Sequence, residues 1–167
     1  IVFGDWSSDV CSSDLLEVAE AYQIIINIEV HGYFTTKPDF LERMLAFVDS
    51  DLLRLNFDTG NSFIAGQDPV EFCERFKDKI SHVHVKDVSE SLAAVARGGQ
   101  TGIALSHCSV GEGANAGNIK RCLAILRDNG FTGHLSIECE GQGGPLLEKS
   151  LGWLRGTLAE LGIPEEK

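Results

Sequence analysis

Glu29, Asp58, His84 and Glu138 combine three carboxylates with one imidazole. Three carboxylates brought close together repel one another and raise their own pKa values unless a cation neutralises them. An oxygen-rich set with one nitrogen suits Mn²⁺, Mg²⁺ or Co²⁺ in octahedral geometry, with about two positions left for water or substrate oxygens. Zinc ordinarily takes fewer carboxylates. One divalent metal is therefore expected, Mn²⁺ first, with Mg²⁺ or Co²⁺ as alternatives. Taken singly, each carboxylate reads better as a solvated strand end and His84 as a hydrogen-bonded core residue. The case rests on the four together.

For these residues to meet, the chain must place each at the end of a similar element. From residue 16 onward short apolar strands alternate with amphipathic helices, the pattern of a parallel α/β sheet. Strands are predicted at 24–30, 53–58, 81–86 and 133–138. Helical spacing of apolar residues follows, as in Phe40, Leu41, Met44, Leu45 and Val48, in Ile119, Cys122, Leu123 and Leu126, and in the leucines at 147, 151, 154 and 158. Alternation within the strands separates an aliphatic face (Ile24, Ile26, Ile28; Leu53, Leu55, Phe57; Val83, Val85; Leu135, Ile137) from a polar one. The polar face carries Asn27 and Glu29, then Arg54, Asn56 and Asp58, then His82, His84 and Lys86, then His134, Ser136 and Glu138. A sheet covered by helices on both sides would be apolar on both faces, so this polar face needs an interior where its groups converge. A barrel provides one, with its active site at the C-terminal strand ends. Glu29 to Asp58 is 29 residues and Asp58 to His84 is 26, near the βαβ period of about 30. His84 to Glu138 is 54 residues, one unit plus an insertion at about 88–114, and a long loop at a catalytic face commonly serves as a lid or substrate wall. A complete (β/α)8 barrel takes about 250 residues. The expected fold is thus α/β, the C-terminal half of a (β/α)8 TIM barrel, with about four strand-helix units.

The segments Ile28-Glu29-Val30-His31, Asn56-Phe57-Asp58-Thr59-Gly60-Asn61, His82-Val83-His84-Val85-Lys86-Asp87, Gly111-Glu112-Gly113 and Ser136-Ile137-Glu138-Cys139-Glu140-Gly141 resemble, in order, the second half of the sugar phosphate isomerase/epimerase family. These are xylose isomerase-like TIM barrels that include tagatose and psicose 3-epimerases, hydroxypyruvate isomerase and inosose dehydratase. The resemblance implies a metal held by Glu29, Asp58, His84 and Glu138 that chelates a ketone and a neighbouring hydroxyl. It also implies that Glu29 and Glu138 flank the reacting carbon, one removing a proton and the other returning it through an enediolate. Asn61 stands where the epimerases carry a substrate-contacting histidine. The Glu138-Cys139-Glu140 pattern and the His-Val-Lys-Asp stretch lean toward inosose dehydratase-like members, in which water is lost after the same proton abstraction. Substrate contacts are expected from Asn61, His31, Lys86 and Arg97, with His82, Asp87 and Glu140 supporting the ligands. Lys86 is expected to neutralise a carboxylate such as Asp87.

The remaining composition narrows partners. A net charge of −11 repels a nucleic-acid backbone or an anionic membrane surface, and no run of about 18 apolar residues is present to span a bilayer. The charge and the five histidines also count against an apurinic endonuclease-like metal hydrolase, which shares this barrel but needs more histidines and a basic DNA face. A small sugar or cyclitol is the expected partner. The five cysteines (Cys11, Cys73, Cys108, Cys122, Cys139) are odd in number and lack CxxC spacing, which suits buried thiols in the cytoplasm. Residues 4–15 match the translation of a common short-read sequencing adapter, so 1–15 are expected to be a foreign segment and 16–167 a partial TIM-barrel domain. Trp6, Asp9, Cys11 and Asp14 are then expected to carry no function. Open strand edges at the break lead to an expectation of self-association or homo-oligomers.

Overall fold

A computed structural model describes residues 8–99, 101–141 and 143–165, with side chains from residue 14 onward. Four strands, β1 (Ile26–Glu29), β2 (Leu53–Asp58), β3 (Ile80–Val85) and β4 (His134–Ile137), form one sheet in the order β1-β2-β3-β4. All three pairings are parallel, as strand-helix-strand crossovers require. Among the described residues eight helices intervene or flank: α1 (Ser8–Tyr22), α2 (Gly32–Thr35), α3 (Pro38–Leu45), α4 (Thr59–Ile64), α5 (Pro69–Phe76), α6 (Glu90–Ala96), α7 (Ala116–Asp128) and α8 (Pro145–Glu160).

The aliphatic strand face packs beneath the helices. Leu55, Phe57, Val83 and Val85 are fully or almost fully buried with Leu41, Phe72, Ile119, Cys122 and Leu126. At about 25 cal/mol per Å² of apolar area, this cluster is the main source of stability. Local signals set the helix starts. Asp68 caps α5 by accepting from the backbone of Val70 and Glu71, with Pro69 at its first position. Gly130, with φ of 74°, follows the Asn129 cap of α7.

Three expectations are corrected. Ile24 precedes β1 and is exposed, because its N–H bonds to Ala19 at the end of α1. Phe40 and Met44 stay exposed while Leu41 and Leu45 are buried, and in α8 Leu147 and Leu151 are exposed while Leu154 and Leu158 are buried. Phe40 and Met44 instead border an apolar recess of about 480 Å³ with Leu15, Ile26, Phe47 and Leu53, on the outer side of β1. The predicted loop at 88–114 contains a helix, α6, capped by Ser89 at Leu92 N–H; Leu92, Ala93 and Ala96 pack half-buried on Phe63, Ile64, Val88 and Ala104, but the apolar run from Leu92 to Ala96 is unbroken and shows no period.

Helix α1 runs through the expected boundary at residue 15, burying Leu16 and Ala19. Residues 1–7, Trp6 among them, lie outside the described residues, as do the side chains of Asp9 and Cys11.

The strands are staggered. Glu29 pairs with Asn56, two residues short of Asp58, and His84 pairs with Ser136, two short of Glu138. Such a staircase is the register of strands tilted for a barrel. An extra residue in β3, Ser81, sits between the pairs Leu55 with Ile80 and Asn56 with His82. This bulge turns the Ser81 hydroxyl to Asn27 Oδ1 at 2.6 Å and resets the alternation so that His82 and His84 face the polar side.

Candidate metal centre

Glu29, Asp58, His84 and Glu138 each bring one ligand atom to a common point, all within 4.8 Å of one another. At metal–ligand distances of about 2.0–2.4 Å, atoms on one ion lie up to about 4.8 Å apart, so the set fits a single divalent cation. His84 Nδ1 lies 2.7 Å from Glu138 Oε2 and 3.2 Å from Glu29 Oε1. Despite the short contact, His84 Nδ1 and Glu138 Oε2 are not aligned as a hydrogen bond; they and Asp58 Oδ2 are buried polar atoms without a hydrogen-bond partner. Buried polar atoms are rarely left so. Three of them facing one point is the arrangement expected of lone-pair donors to a cation.

The protein divides each ligand's atoms between support and site. Asp58 Oδ1 caps α4, accepting from Gly60 and Asn61 N–H at 2.8 Å each, which leaves Oδ2 for the cluster. Burial pushes the Asp58 carboxyl up to about 7, against the pull of Lys86. Glu138 Oε1 meets Lys86 Nζ at 2.5 Å, leaving Oε2 inward. The His84 ring, and then Lys86, hold Glu138 down at about 2. Glu138 in turn raises His84. On the far side of that ring, Asn56 Nδ2 lies 3.1 Å from His84 Nε2 while Asn56 Oδ1 has no partner. With the amide turned over, Oδ1 accepts an Nε2–H and the Nδ1 lone pair is freed for a metal, while the NH₂ takes the position that has no partner. Sequence marks Asn56 only as a polar-face residue; no local signal points to its partner 28 residues away.

The supporting residues divide into those that meet the cluster and those that do not. Lys86, 2% exposed, reaches Glu138, Glu140 Oε1 at 3.0 Å and Asp58 Oδ2 at 3.9 Å. It neutralises carboxylates, but Asp87 is not among them. Asp87 instead accepts four backbone N–H groups, from Val88, Gly111, Gly113 and Asn115. It therefore pins the Gly111-Glu112-Gly113 turn, where a Cβ on Gly113 would strike Asp87 Oδ1 at 2.4 Å. Glu140 Oε2 accepts from Ser106 N–H at 2.6 Å, tying the long loop to the end of β4. His82 Nε2 lies 2.8 Å from Ser136 Oγ, with its ring edge-on to His84; burial lowers its pKa.

Two of the expected substrate contacts are otherwise engaged. Asn61 is fully buried, donating to Val30 O at 3.1 Å and accepting from Ala104 N–H at 2.9 Å. Both ends of its amide are committed to backbone, so it joins two loops and faces no substrate. Arg97 stacks on Phe63 at 3.9 Å and donates to Gln67 O, a contact with α4 and the turn after it. His31 is exposed just past β1, and its backbone N–H and C=O both bond to the Thr35 hydroxyl.

The parallel sheet with alternating helices is that of a partial (β/α)8 barrel, and four side chains that could hold a metal ion converge on it. The match of residues 12–157 to the xylose isomerase-like TIM barrel family makes the assignment specific: the chain belongs to that family. It is 27% identical over 104 residues to an inosose dehydratase of Clostridium botulinum (strain Eklund 17B / Type B), covering 60% of this chain and 35% of that protein. Over 147 residues it is 28% identical to the rhizopine catabolism protein MocC of Rhizobium meliloti, covering 84% of this chain and 45% of that one. Among solved structures, a D-tagatose 3-epimerase-like protein superposes with a TM-score of 0.71 at 26% identity, covering 94% of this chain and 58% of the other. The chain thus spans about half the length, or less, of the relatives it matches.

Proposed function

We propose that this chain carries the metal-binding half of a divalent-metal-dependent isomerase or epimerase acting on a keto-sugar or sugar phosphate. The observation that supports it is the convergence of Asp58 Oδ2, His84 Nδ1 and Glu138 Oε2, buried without hydrogen-bond partners, beside Glu29. Glu29, Asp58, His84 and Glu138 would hold the ion, Mn²⁺ before Mg²⁺ or Co²⁺. When bound, the ion supplies positive charge for the oxygen that turns negative as a proton leaves the carbon beside a carbonyl.

In this reading Glu29 and Glu138 approach the substrate carbon from two sides and move its proton through an enediolate. Their settings differ. Glu138 is held by Lys86 and His84, whereas the Glu29 side chain is 39% exposed with His84 as its ion-pair partner. Glu29 is the freer base. That asymmetry favours a second reading, an inosose dehydratase-like lyase in which one base removes the proton and water leaves, and the inosose dehydratase relative agrees with it.

The partner is a small sugar or cyclitol, not nucleic acid, in keeping with the net charge of −11. No described helix is long and apolar enough to cross a membrane. Free thiols at Cys73, Cys108, Cys122 and Cys139 support a cytoplasmic setting. The outer edges of β1 and β4 have no partner strand among the described residues, which supports self-association. We also retain residues 1–15 as a foreign segment, on the adapter match alone.

The test is calorimetric titration of Mn²⁺ into the chain and into Glu138→Gln. Binding near one equivalent that the variant loses supports the site. A folded chain that binds no Mn²⁺ removes the metal reading.

A further inference from the structure

Among the described residues Lys86 is the only lysine or arginine that is buried. The fold makes a specific place for it. Its backbone N–H and C=O both meet the Thr59 hydroxyl, at 3.0 and 2.9 Å. Its stem runs over Gly60, where a Cβ would lie 2.5 Å from Lys86 Cγ. Its ammonium faces Glu138 Oε1 at 2.5 Å, Glu140 Oε1 at 3.0 Å and Asp58 Oδ2 at 3.9 Å. Two of these three carboxylates, Asp58 and Glu138, are also candidate metal ligands.

The ammonium and a divalent ion therefore draw on the same negative charge from adjacent positions. Without an ion, Asp58, Glu138 and Glu140 crowd around one another, and only Lys86 and the His84 ring balance them. With an ion present, two cations stand on shared carboxylates and repel each other across a few ångströms of poorly screened interior. We propose that Lys86 is an internal counter-cation: it holds the acidic cluster together when no divalent ion is bound and limits how tightly that ion binds. The proposal rests on the metal reading for its second half only. It differs from simple packing of a long side chain, because removing the charge should move metal-free stability and metal affinity in opposite directions.

The experiment compares the full chain with Lys86→Met, a substitution that keeps an unbranched apolar stem of similar reach. In EDTA, thermal melting of Lys86→Met is expected below that of the native chain. In the double variant Lys86→Met/Glu138→Gln, which removes one charge of each sign, melting should recover in part. In calorimetry, Lys86→Met should bind Mn²⁺ at least tenfold more tightly. Melting unchanged in EDTA, or Mn²⁺ binding that is equal or weaker in a folded Lys86→Met chain, overturns the proposal. A native chain that binds no Mn²⁺ defeats the metal reading alone, and the melting comparison in EDTA then decides the counter-cation role. Should Lys86→Met fold only with Mn²⁺, the proposal is supported, since the metal has replaced the missing charge. If it folds under neither condition, the double variant decides. A folded double variant supports charge balance, and an unfolded one shows that the lysine stem itself is what the fold requires.

Discussion

Gly60 and Lys86 compete for the same volume: a Cβ on Gly60 would lie 2.5, 2.7 and 2.9 Å from the γ, δ and β carbons of Lys86. Gly60 also donates its N–H to Asp58 Oδ1 at 2.8 Å, so the helix turn cannot simply back away without loosening the Asp58 cap. Gly60→Ala should therefore destabilise the chain by about 1–3 kcal/mol, the usual cost of overpacking a tight interior. Urea denaturation would read it. A variant as stable as the native chain would mean that the lysine stem has room to move.

Asp87 holds one turn by itself. Its Oδ1 accepts from Val88 and Asn115 at 2.8 and 3.0 Å, and its Oδ2 accepts from Gly111 and Gly113 at 2.9 Å each. Asp87→Asn puts an NH₂ donor against one of those pairs of N–H donors, whichever way the amide turns. The loss should be about 2–4 kcal/mol, since charge-assisted bonds are replaced by facing donors. Amide hydrogen exchange at Gly111, Gly113 and Asn115 checks the local consequence: protection should fall there first, and unchanged protection at all three would refute the assignment.

How far the chain was legible follows the range of each interaction. The four strands and their polar parity were readable because alternation is a local property; Glu29, Asp58 and Glu138 stood out because each closes such a run, and His84 stands one polar-face place before Lys86 in its own. Helix α6 was missed because its apolar residues run unbroken from Leu92 to Ala96 and so show no periodic stripe. The partners of Asn61, Lys86 and Asp87 were not readable, for a different reason. Asn61 ties Val30 to Ala104, Lys86 meets carboxylates 52 residues ahead, and Asp87 meets a turn 24 to 28 residues on. Nothing near these residues in sequence encodes those partners. The parity pattern placed Lys86 on the polar face, which was correct, but the nearest acid in sequence, Asp87, turned out to serve the backbone.

The acid cluster should give the metal-free chain an unusual pH profile. Burial lifts the Asp58 carboxyl from 3.8 to about 7. Between those values the folded chain keeps a proton that the unfolded chain has lost, so the stability linked to Asp58 is present at low pH and lost as pH rises through about 7. His84, raised above 6.5 by its contact with Glu138, acts in the same direction at the upper end. Glu138 acts oppositely, but its pKa runs from 4.5 down to about 2, so its contribution is lost only on acidification below about 4.5. In EDTA, stability should therefore fall from about pH 4.5 toward pH 8 by on the order of 2–4 kcal/mol, because each pH unit between the folded and unfolded pKa of a group is worth about 1.4 kcal/mol. Asp58→Asn cannot ionise and should flatten most of that slope. On the proposed metal reading Mn²⁺ should reverse the sign, because it would bind the ionised carboxylate and the neutral imidazole, with an affinity that rises over the interval in which protons leave them. Urea denaturation of the native chain and Asp58→Asn at several pH values, each with EDTA and with Mn²⁺, measures both slopes. A native chain whose stability in EDTA is flat or rises from pH 4.5 to 8 would show that Asp58 is ionised in the fold even without a metal.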